Sequence, residues 1–275
     1  MIKEGDEQAM DFDAWLEDHS DTLRSFSGKR VFLLYSGGKD SSLCLHFMSR
    51  ARKHFGFHLE AHAGAYPLHR YTHEEKERLS SFWRDRGVEI FWYDMGVRDD
   101  PMEGTSQPCL FCQKVRRDML NKVLDDTVEH WERLVLVVSY TLWDIVSYSL
   151  EHVVAGFYFN SQEGDRLRGK RFRETAQRFY PVLKMKEGYT VFRPMLCFNE
   201  SDIIAKVQSD GIPLVSTPCK YREFRPKRSL QKYYEQVGLR FDYDRVLEFA
   251  KSTLGLPDIS AYATLEKRAY LKNLF

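Results

Sequence analysis

The sequence predicts an α/β protein built on a mostly parallel sheet with helices on both faces. Apolar runs of strand length alternate along the chain with longer segments of helical periodicity. One of these runs, residues 134–138, is apolar throughout, which is typical of a strand buried on both faces. Repeated crossovers from strand to helix to strand place successive strands parallel to each other.

The individual elements follow the same apolar pattern in chain order. Residues 11–26 have apolar side chains at helix-like spacings and predict a leading amphipathic helix. The expected strands are 30–35, 57–65, 88–93, 134–138 and 189–192. The expected helices are 40–54, 73–86, 112–125, 143–154 and 199–210, with two or three more toward the C-terminus. We expect the basic residues 156–189 to form an irregular excursion.

Length and composition set the domain organisation. A chain of 275 residues can bury a full core, and a hydrophobic content of 43% indicates a folded protein. We expect an N-terminal helical segment at residues 1–28, a main α/β domain at 29–220 and a C-terminal helical extension at 221–275. No apolar run approaches the roughly 20 residues that span a bilayer, and the first residues lack the apolar core of a signal peptide. These observations predict a cytoplasmic protein without membrane contact.

Charge is distributed unevenly along the chain, although the net charge is only +1. Residues 1–22 contain eight acidic side chains against Lys3 alone. Two basic tracts lie at residues 166–186 and 220–234, and the second contains interleaved tyrosines and a phenylalanine. This mixture suits phosphate contacts and base stacking in nucleic-acid binding, and it equally suits a solvated surface.

A glycine-containing loop follows the first predicted strand directly. Its residues are Ser36, Gly37, Gly38, Lys39, Asp40, Ser41 and Ser42. Two glycines allow consecutive backbone N–H groups to face an anion, and the helix that follows adds its positive N-terminal end. Lys39 supplies a mobile positive charge. The spacing differs from that of a Walker A loop. An ordinary strand-to-helix turn is the alternative, but the serines and the lysine favour a phosphate-binding loop.

The five cysteines supply a second signal. An odd number argues against a disulfide framework. Cys44 and Cys197 lie among apolar residues and are expected in the core. Cys109 and Cys112 form a C-x-x-C pair at the start of a predicted helix, where the helix N-terminus favours thiolates. The pair alone fits a redox site, half of a zinc site or chance. Cys219, which follows a proline, is a candidate third ligand, although its spacing does not show that it lies nearby.

The loop S-G-G-K-D-S resembles the PP-loop of the ATP pyrophosphatases, which split ATP between its α and β phosphates and transfer AMP to a substrate oxygen. The C-x-x-C, the basic residues Lys114, Arg116 and Arg117, and the late Pro-Cys make the chain similar to the tRNA 2-thiocytidine synthetases and their 2-thiouridine relatives. This resemblance extends from about residue 28 to residue 220. It includes Arg193-Pro194 and the stretch Glu200-Ser201-Asp202-Ile203. It implies an adenine nucleotide alpha hydrolase-like fold for residues 29–220.

The resemblance also implies the cofactors and the residues that bind them. In that family three cysteines bind a 4Fe-4S cluster with one open iron, and the matching residues here are Cys109, Cys112 and Cys219. ATP is then bound by the loop Ser36–Ser42 together with Mg²⁺, and the catalytic residues are Lys39, Asp40 and Asp144. Further candidate substrate contacts are Arg116, Arg117, Trp143, Arg222, Arg225 and Arg228.

Two features depart from the family pattern. The family has His-His-x-Asp-Asp after the fourth strand, whereas this chain has Tyr140-Thr141-Leu142-Trp143-Asp144, so only the last aspartate matches. Trp143 at this point offers a flat wall for a base. The second C-x-x-C after the late proline is also missing, since Lys220-Tyr221-Arg222 follows Cys219. These departures indicate a divergent member.

Replacing a carbonyl oxygen by sulfur needs a leaving group on that oxygen, which adenylation provides, and a soft, deprotonated sulfur nucleophile. The resemblance therefore implies an ATP-dependent sulfurtransferase that acts on a nucleobase, either in tRNA or as a free base or nucleotide. A cysteine desulfurase or sulfide is the expected sulfur donor, and a homodimer is the candidate assembly. Two alternatives stay open: a PP-loop ligase or amidating enzyme with structural or zinc-bound cysteines, and a nucleotide-binding or redox-sensing module without turnover.

Overall fold

A six-stranded sheet forms the centre of the described residues, which in this computed structural model are 10–158, 172, 175–224 and 226–272. The strands are β1 (Arg30–Leu34), β2 (His58–Gly64), β3 (Ile90–Tyr93), β4 (Leu134–Val137), β5 (Val182–Lys184) and β6 (Thr190–Phe192). Their spatial order is β3-β2-β1-β4-β6-β5. All neighbouring pairs are parallel except β5 and β6. The predicted fold class is therefore confirmed.

Helices precede, separate and follow these strands. They are α1 (Phe12–Asp18), α2 (Ser20–Arg24), α3 (Lys39–Phe55), α4 (His73–Arg84), α5 (Asp100–Glu103), α6 (Pro108–Thr127), α7 (Leu142–Tyr158), α8 (Glu200–Ser209), α9 (Pro226–Gln236), α10 (Tyr243–Thr253) and α11 (Lys267–Lys272). Most bounds lie within a few residues of the predicted ones. None of the helices in the described part of the chain combines the length and the apolar character needed to cross a bilayer.

Two local predictions need correction. The leading helix is broken at His19, whose backbone angles (φ −106°, ψ 3°) are not helical, so α1 and α2 replace one continuous helix. The excursion expected at 156–189 contains strand β5, because Val182 and Leu183 pair with the β6 residues Phe192 and Val191. Part of this excursion, residues 159–171, 173 and 174, lies outside the described residues.

Two apolar cores cover the two faces of the sheet. Successive side chains of β1 point to opposite faces of the sheet: Val31 and Leu33 pack in the first core, whereas Phe32 packs in the second. The first core is completed by residues of α1 to α4 and α8, and the second by residues of α6, α7, α10 and α11. Helices from both ends of the chain therefore bury apolar surface against the same sheet, which is the main stabilising contribution to the fold.

The sheet order reverses direction at its centre. From β1 the chain moves to β2 and β3 on one side, and then returns to β4 on the other side of β1. The loops that leave the carboxyl ends of β1 and β4 therefore run in opposite directions and leave a crevice between them. Ligands of open α/β sheets bind at such a switch point, and the loop 36–42 lies there.

Candidate functional site

The loop after β1 is folded by its own serines. The hydroxyl of Ser41 accepts a hydrogen bond from the backbone N–H of Ser36 at 3.1 Å and donates one to the carbonyl of Gly38 at 3.1 Å. Tyr71 donates from its hydroxyl to the carbonyl of Ser36 at 3.0 Å. Gly38 is the N-cap of α3, so the loop ends at the positive end of a helix of 17 residues. This geometry is typical of an anion-binding loop.

Gly37 is required at its position for two reasons. Its φ is +63°, in the left-handed region that disfavours side chains. A Cβ atom there would lie 2.7 Å from Cγ2 of Val215, and the backbone N–H of Val215 donates to the Gly37 carbonyl at 2.8 Å. The loop therefore packs directly against a segment that is distant in sequence.

Lys39 lies between two carboxylates. Its Nζ atom is 2.9 Å from Asp40 Oδ1 and 2.7 Å from Glu200 Oε1, at the start of α8. Burial disfavours the charge, but the two carboxylates outweigh burial and raise the pKa of Lys39 to about 12. The lysine is therefore charged at neutral pH.

Asp40 and Asp144 face each other across the switch point. Burial raises the pKa of Asp40, the charge of Lys39 opposes this, and the carboxylate of Asp144 adds to it. Asp144 Oδ2 accepts hydrogen bonds from the backbone N–H of Thr141 at 3.0 Å and from the Thr141 hydroxyl at 3.2 Å. Two carboxylates placed close together, one of which raises the pKa of the other, suit a divalent cation, which would favour the ionised form of Asp40.

A cavity of about 260 Å³ opens beside these carboxylates. Its walls come from the carboxyl ends of β1 to β4 and from one side of α6. Ser36, Asp40, Ser41 and Asp144 line it together with Arg116 of α6. The structure thus brings the loop, both predicted aspartates and one predicted arginine to one cavity.

A buried histidine at this cavity was not predicted as a site residue. His62 lies between Tyr93, whose hydroxyl is 2.8 Å from Nδ1, and Glu60, whose Oε2 is 2.9 Å from Nε2. Its ring stacks on Phe32 at 3.4 Å between centroids. Burial lowers the pKa of His62, whereas Glu60 opposes the decrease. The alternating pattern of β2 contained the signal, because His62 shares a face of the strand with Gly64 at the cavity wall.

The cysteine pair lies at the start of α6, and Arg116 is further along the same helix. Cys109 Sγ is 3.6 Å from the carbonyl of Tyr221, two residues after Cys219. Cys112 is buried against Tyr66, Met95 and Met102. Among the described residues, no three His, Cys, Asp or Glu side chains are close enough together to hold one metal ion. The structure therefore brings Cys109 to the segment of Cys219 without arranging the three sulfurs around a single ion.

The remaining predicted residues have different environments. Trp143 is 6% exposed and packs against Tyr234 and Phe241 in the core, which corrects the expectation that it forms a wall for a base. Arg117 donates to the carbonyl of Lys272 at 3.3 Å. Arg222 is exposed and pairs with its neighbour Glu223.

Four further residues were named from the sequence: two arginines as substrate contacts and two cysteines as core residues. Arg225 and the side chain of Arg228 lie outside the described residues. Cys44 is buried, and burial raises the pKa of its thiol. Cys197 is exposed, so its prediction as a core residue is wrong.

No protein-family model matches the sequence, and no curated protein matches it. Among solved structures, the chain is similar to a U34-tRNA thiolase from Methanococcus maripaludis with its [4Fe-4S] cluster, at 16% identity and a TM-score of 0.59. The similarity covers 90% of this chain and 81% of the thiolase. The chain has a PP-loop fold. An NH3-dependent NAD synthetase from Campylobacter jejuni matches at 15% identity and a TM-score of 0.43, over 97% of this chain and 96% of that one.

Glu200 contacts the PP-loop. From the sequence, this residue was named only as part of a stretch that resembles the family, without a role. Its carboxylate binds Lys39 from α8, which is 161 positions further along the chain. Oε2 of Glu200 also accepts a hydrogen bond from Gln231 of α9. The lysine of the PP-loop is therefore connected through Glu200 to the C-terminal helices.

Proposed function

We propose that the chain is an ATP-dependent sulfurtransferase, which adenylates a carbonyl oxygen of a nucleobase and replaces that oxygen by sulfur. One observation carries the proposal: α6 contains both the C-x-x-C and the cavity residue Arg116. Cys112 and Arg116 are four residues apart in this helix, a separation of roughly 6 Å along its axis. A cysteine pair at this distance from a phosphate-binding cavity supports sulfur chemistry on a substrate that is activated there.

The PP-loop accounts for the ATP-dependent half of the reaction. Its backbone N–H groups and Lys39 would bind phosphate oxygens, and Arg116 would add a second positive charge in the cavity. Asp40 and Asp144 would bind Mg²⁺, whose charge stabilises the leaving pyrophosphate. Binding of the nucleotide and the acceptor in this cavity would limit the access of water to the adenylated intermediate.

The three cysteines fit a [4Fe-4S] cluster in their donor chemistry. Thiolate sulfur is the ligand that such clusters use, and Cys109 and Cys112 lie in the first half of α6, with Cys112 four residues before Arg116. When bound, the cluster supplies an iron site that holds the sulfur atom to be transferred. The similar fold of a thiolase that contains a [4Fe-4S] cluster supports this assignment.

The acceptor is proposed to be a base of a tRNA, or a free nucleobase or nucleotide. Exposed aromatic side chains lie beside basic residues after the late cysteine: Phe224 is 54% exposed and Tyr233 is 60% exposed. Such residues suit base stacking and phosphate contacts. A cysteine desulfurase or sulfide would supply the sulfur, and we propose a homodimer in the cytoplasm.

The test is the iron and acid-labile sulfide content of protein purified without oxygen. We expect about four irons per wild-type chain, and their loss in Cys109→Ser, Cys112→Ser and Cys219→Ser. Cys197→Ser is the matched control, because this thiol is exposed and is not among the proposed ligands. Mass spectrometry of the product should detect sulfur in place of oxygen, with one AMP and one pyrophosphate per turnover.

Zinc in place of iron, or unchanged iron in the Cys219→Ser variant, would contradict the proposal. A product that contains new nitrogen and no sulfur would favour a PP-loop ligase or amidating enzyme. That enzyme would also form AMP and pyrophosphate, so the sulfur content of the product separates the two reactions.

A further inference from the structure

Residues 214–221, which we call the strap, connect the PP-loop with the start of α6. The strap begins after α8 and has no regular secondary structure between residues 214 and 219. At its first end, Val215 donates to the Gly37 carbonyl at 2.8 Å. Arg78 of α4 donates to the carbonyl of Leu214 at 2.6 Å. The position of the strap therefore depends on contacts that other elements make with its backbone.

The middle of the strap is held by a buried carboxylate. Glu75, which is 7% exposed, accepts from the backbone N–H of Ser216 at 2.6 Å and from the Ser216 hydroxyl at 3.0 Å. Arg70 donates to the carbonyl of Thr217 at 3.1 Å. These hydrogen bonds involve Arg70, in the segment between β2 and α4, and Glu75, in α4 itself, so the strap lies along α4 and the segment before it.

The second end of the strap is held by a histidine. The backbone N–H of Lys220, the residue after Cys219, donates to His69 Nε2 at 3.2 Å. His69 Nδ1 is 2.6 Å from Asp99 Oδ2. Because Nε2 accepts, the proton of a neutral ring is on Nδ1 and is donated to Asp99. Asp99 also accepts from the backbone N–H groups of Leu68 and His69, at 2.8 and 3.0 Å. The imidazole is thereby fixed in one tautomer and one orientation.

The same end of the strap contacts the C-x-x-C. The carbonyl of Tyr221 accepts from Cys109 Sγ at 3.6 Å, and the rings of His69 and Tyr221 are 6.0 Å apart. The two residues that follow Cys219 are therefore both held in place: Lys220 by His69, and Tyr221 by its contact with Cys109. The side chains of His69 and Asp99 are only 12% and 14% exposed, so this pair is largely shielded from water.

We propose that His69, oriented by Asp99, is a positioning residue that holds the segment of Cys219 against the C-x-x-C at the start of α6. The inference rests on the proposed function in one respect: it assumes that Cys219 acts together with Cys109 and Cys112. The placement of the strap itself follows from its hydrogen bonds. His69 acts through the backbone of Lys220 and touches none of the reacting groups.

The test measures the alkylation rate of each cysteine by iodoacetamide, in the full chain treated with a chelator under nitrogen. Peptide mass spectrometry gives the rates for Cys109, Cys112, Cys219 and Cys44 separately. In His69→Ala we expect the rate at Cys219 to rise roughly threefold to tenfold, the factor that corresponds to one lost hydrogen bond. In His69→Gln, whose amide oxygen can accept from Lys220, we expect most of the wild-type protection to return.

His73→Gln is the matched control, since His73 is an exposed histidine at the start of α4. Cys44 is buried and reports unfolding: its alkylation would rise only if the core opened. If His69→Ala increases the alkylation of Cys44, the variant Asp99→Asn is used instead of His69→Ala, because it keeps the imidazole and weakens the contacts that orient it. The same increase at Cys219 is then expected.

An unchanged rate at Cys219 in a folded His69→Ala protein would overturn the inference, as would equal rates in His69→Gln and His69→Ala. These rates are measured without metal and do not depend on turnover. Failure of the proposed function would instead appear in the wild type, as protein without iron and product without sulfur. The two failures are therefore distinguishable.

Discussion

At the scale of single residues, the site is defined by where charge is placed. Lys39 is held by Asp40 and Glu200, and Asp40 faces Asp144. A triphosphate with Mg²⁺ would satisfy this arrangement, because the phosphates compensate the lysine and the cation compensates the aspartates. The position of these charges depends on the backbone conformation of the loop, which is set by the positive φ of Gly37 and by its contact with Val215.

Gly37→Ala tests the shape of the PP-loop. The added Cβ would meet Val215 at 2.7 Å, in addition to the cost of a side chain at positive φ. We expect ATP affinity to fall on the order of tenfold or more, because strain of about 1 to 2 kcal/mol is added to the clash. Isothermal titration calorimetry with a nonhydrolysable ATP analogue measures the effect.

Gly28→Ala is the control for this prediction. Gly28 has nearly the same φ, +68°, but a Cβ atom at that position meets nothing within 4 Å. Equal losses of affinity in the two variants would show that general backbone strain, rather than contact with Val215, is responsible.

Sequence patterns could predict the residues of the PP-loop but not all of their partners. The loop residues are consecutive, so their chemistry is visible in one window of the sequence. Glu200 and the strap reach the loop from more than 150 positions away, and only the folded chain brings them there. Trp143 shows the opposite error: its place in a family motif suggested a site role, whereas the apolar surface of α7 places it in the core.

At the scale of elements, the strands are tied to each other by side chains as well as by backbone hydrogen bonds. Arg30 of β1 contacts Glu60 of β2 at 2.8 Å, and Glu60 also contacts His62 at 2.9 Å. This chain of polar groups leads from the amino end of the sheet to the cavity. The apolar pattern predicted β1 and β2 because each is apolar over several residues. The strand β5 was missed because it has only three residues and is recognised only by its pairing with β6.

Glu60→Gln tests the contribution of this polar chain and its pH dependence. Burial would raise the pKa of Glu60, but hydrogen bonds from His62 and Arg30 outweigh burial and lower it to about 2, from an ordinary value of 4.5. A lowered carboxylate pKa means that the stabilisation is complete above pH 4.5 and is lost as the pH falls toward 2. We expect the variant to lose about 2 kcal/mol of unfolding free energy at pH 7.

Urea unfolding at a series of pH values gives the required comparison. The difference between wild type and variant should shrink below pH 4.5. Glu77→Gln, in which an exposed carboxylate is replaced, should change the unfolding free energy by no more than about 0.5 kcal/mol. A constant difference across the whole pH range would contradict the assignment.

At the scale of the whole molecule, a buried arginine joins the sheet to the end of the chain. Arg193 is fully buried directly after β6. It donates to the carbonyl of Tyr180 at 2.8 Å, to the side-chain oxygen of Gln177, and to the hydroxyl of Tyr270 in α11 at 3.2 Å. Helix α11 is thus attached to the end of β6 by a hydrogen bond in addition to its apolar contacts.

Arg193→Met should destabilise the whole fold. The methionine fills much of the volume but leaves three buried acceptors without their donor, so we expect a loss of about 3 kcal/mol in unfolding free energy. Limited proteolysis should cut near residues 267–272 sooner than in the wild type. Arg24→Met, which replaces an exposed arginine, is the control and should match the wild type. A loss below about 1 kcal/mol would show that the apolar contacts alone hold α11 in place.

The contact between Trp15 and Pro194 has a consequence for biosynthesis. The indole N–H of Trp15 donates to the Pro194 carbonyl at 3.1 Å, and the two residues are 179 positions apart. During translation, α1 leaves the ribosome long before its partner has been made. Its apolar side chains, Phe12 and Trp15, then have only the early part of the first core to cover them. In a nascent chain, the contact of α1 with Pro194 therefore forms among the last folding steps, when most of the sequence has already been translated.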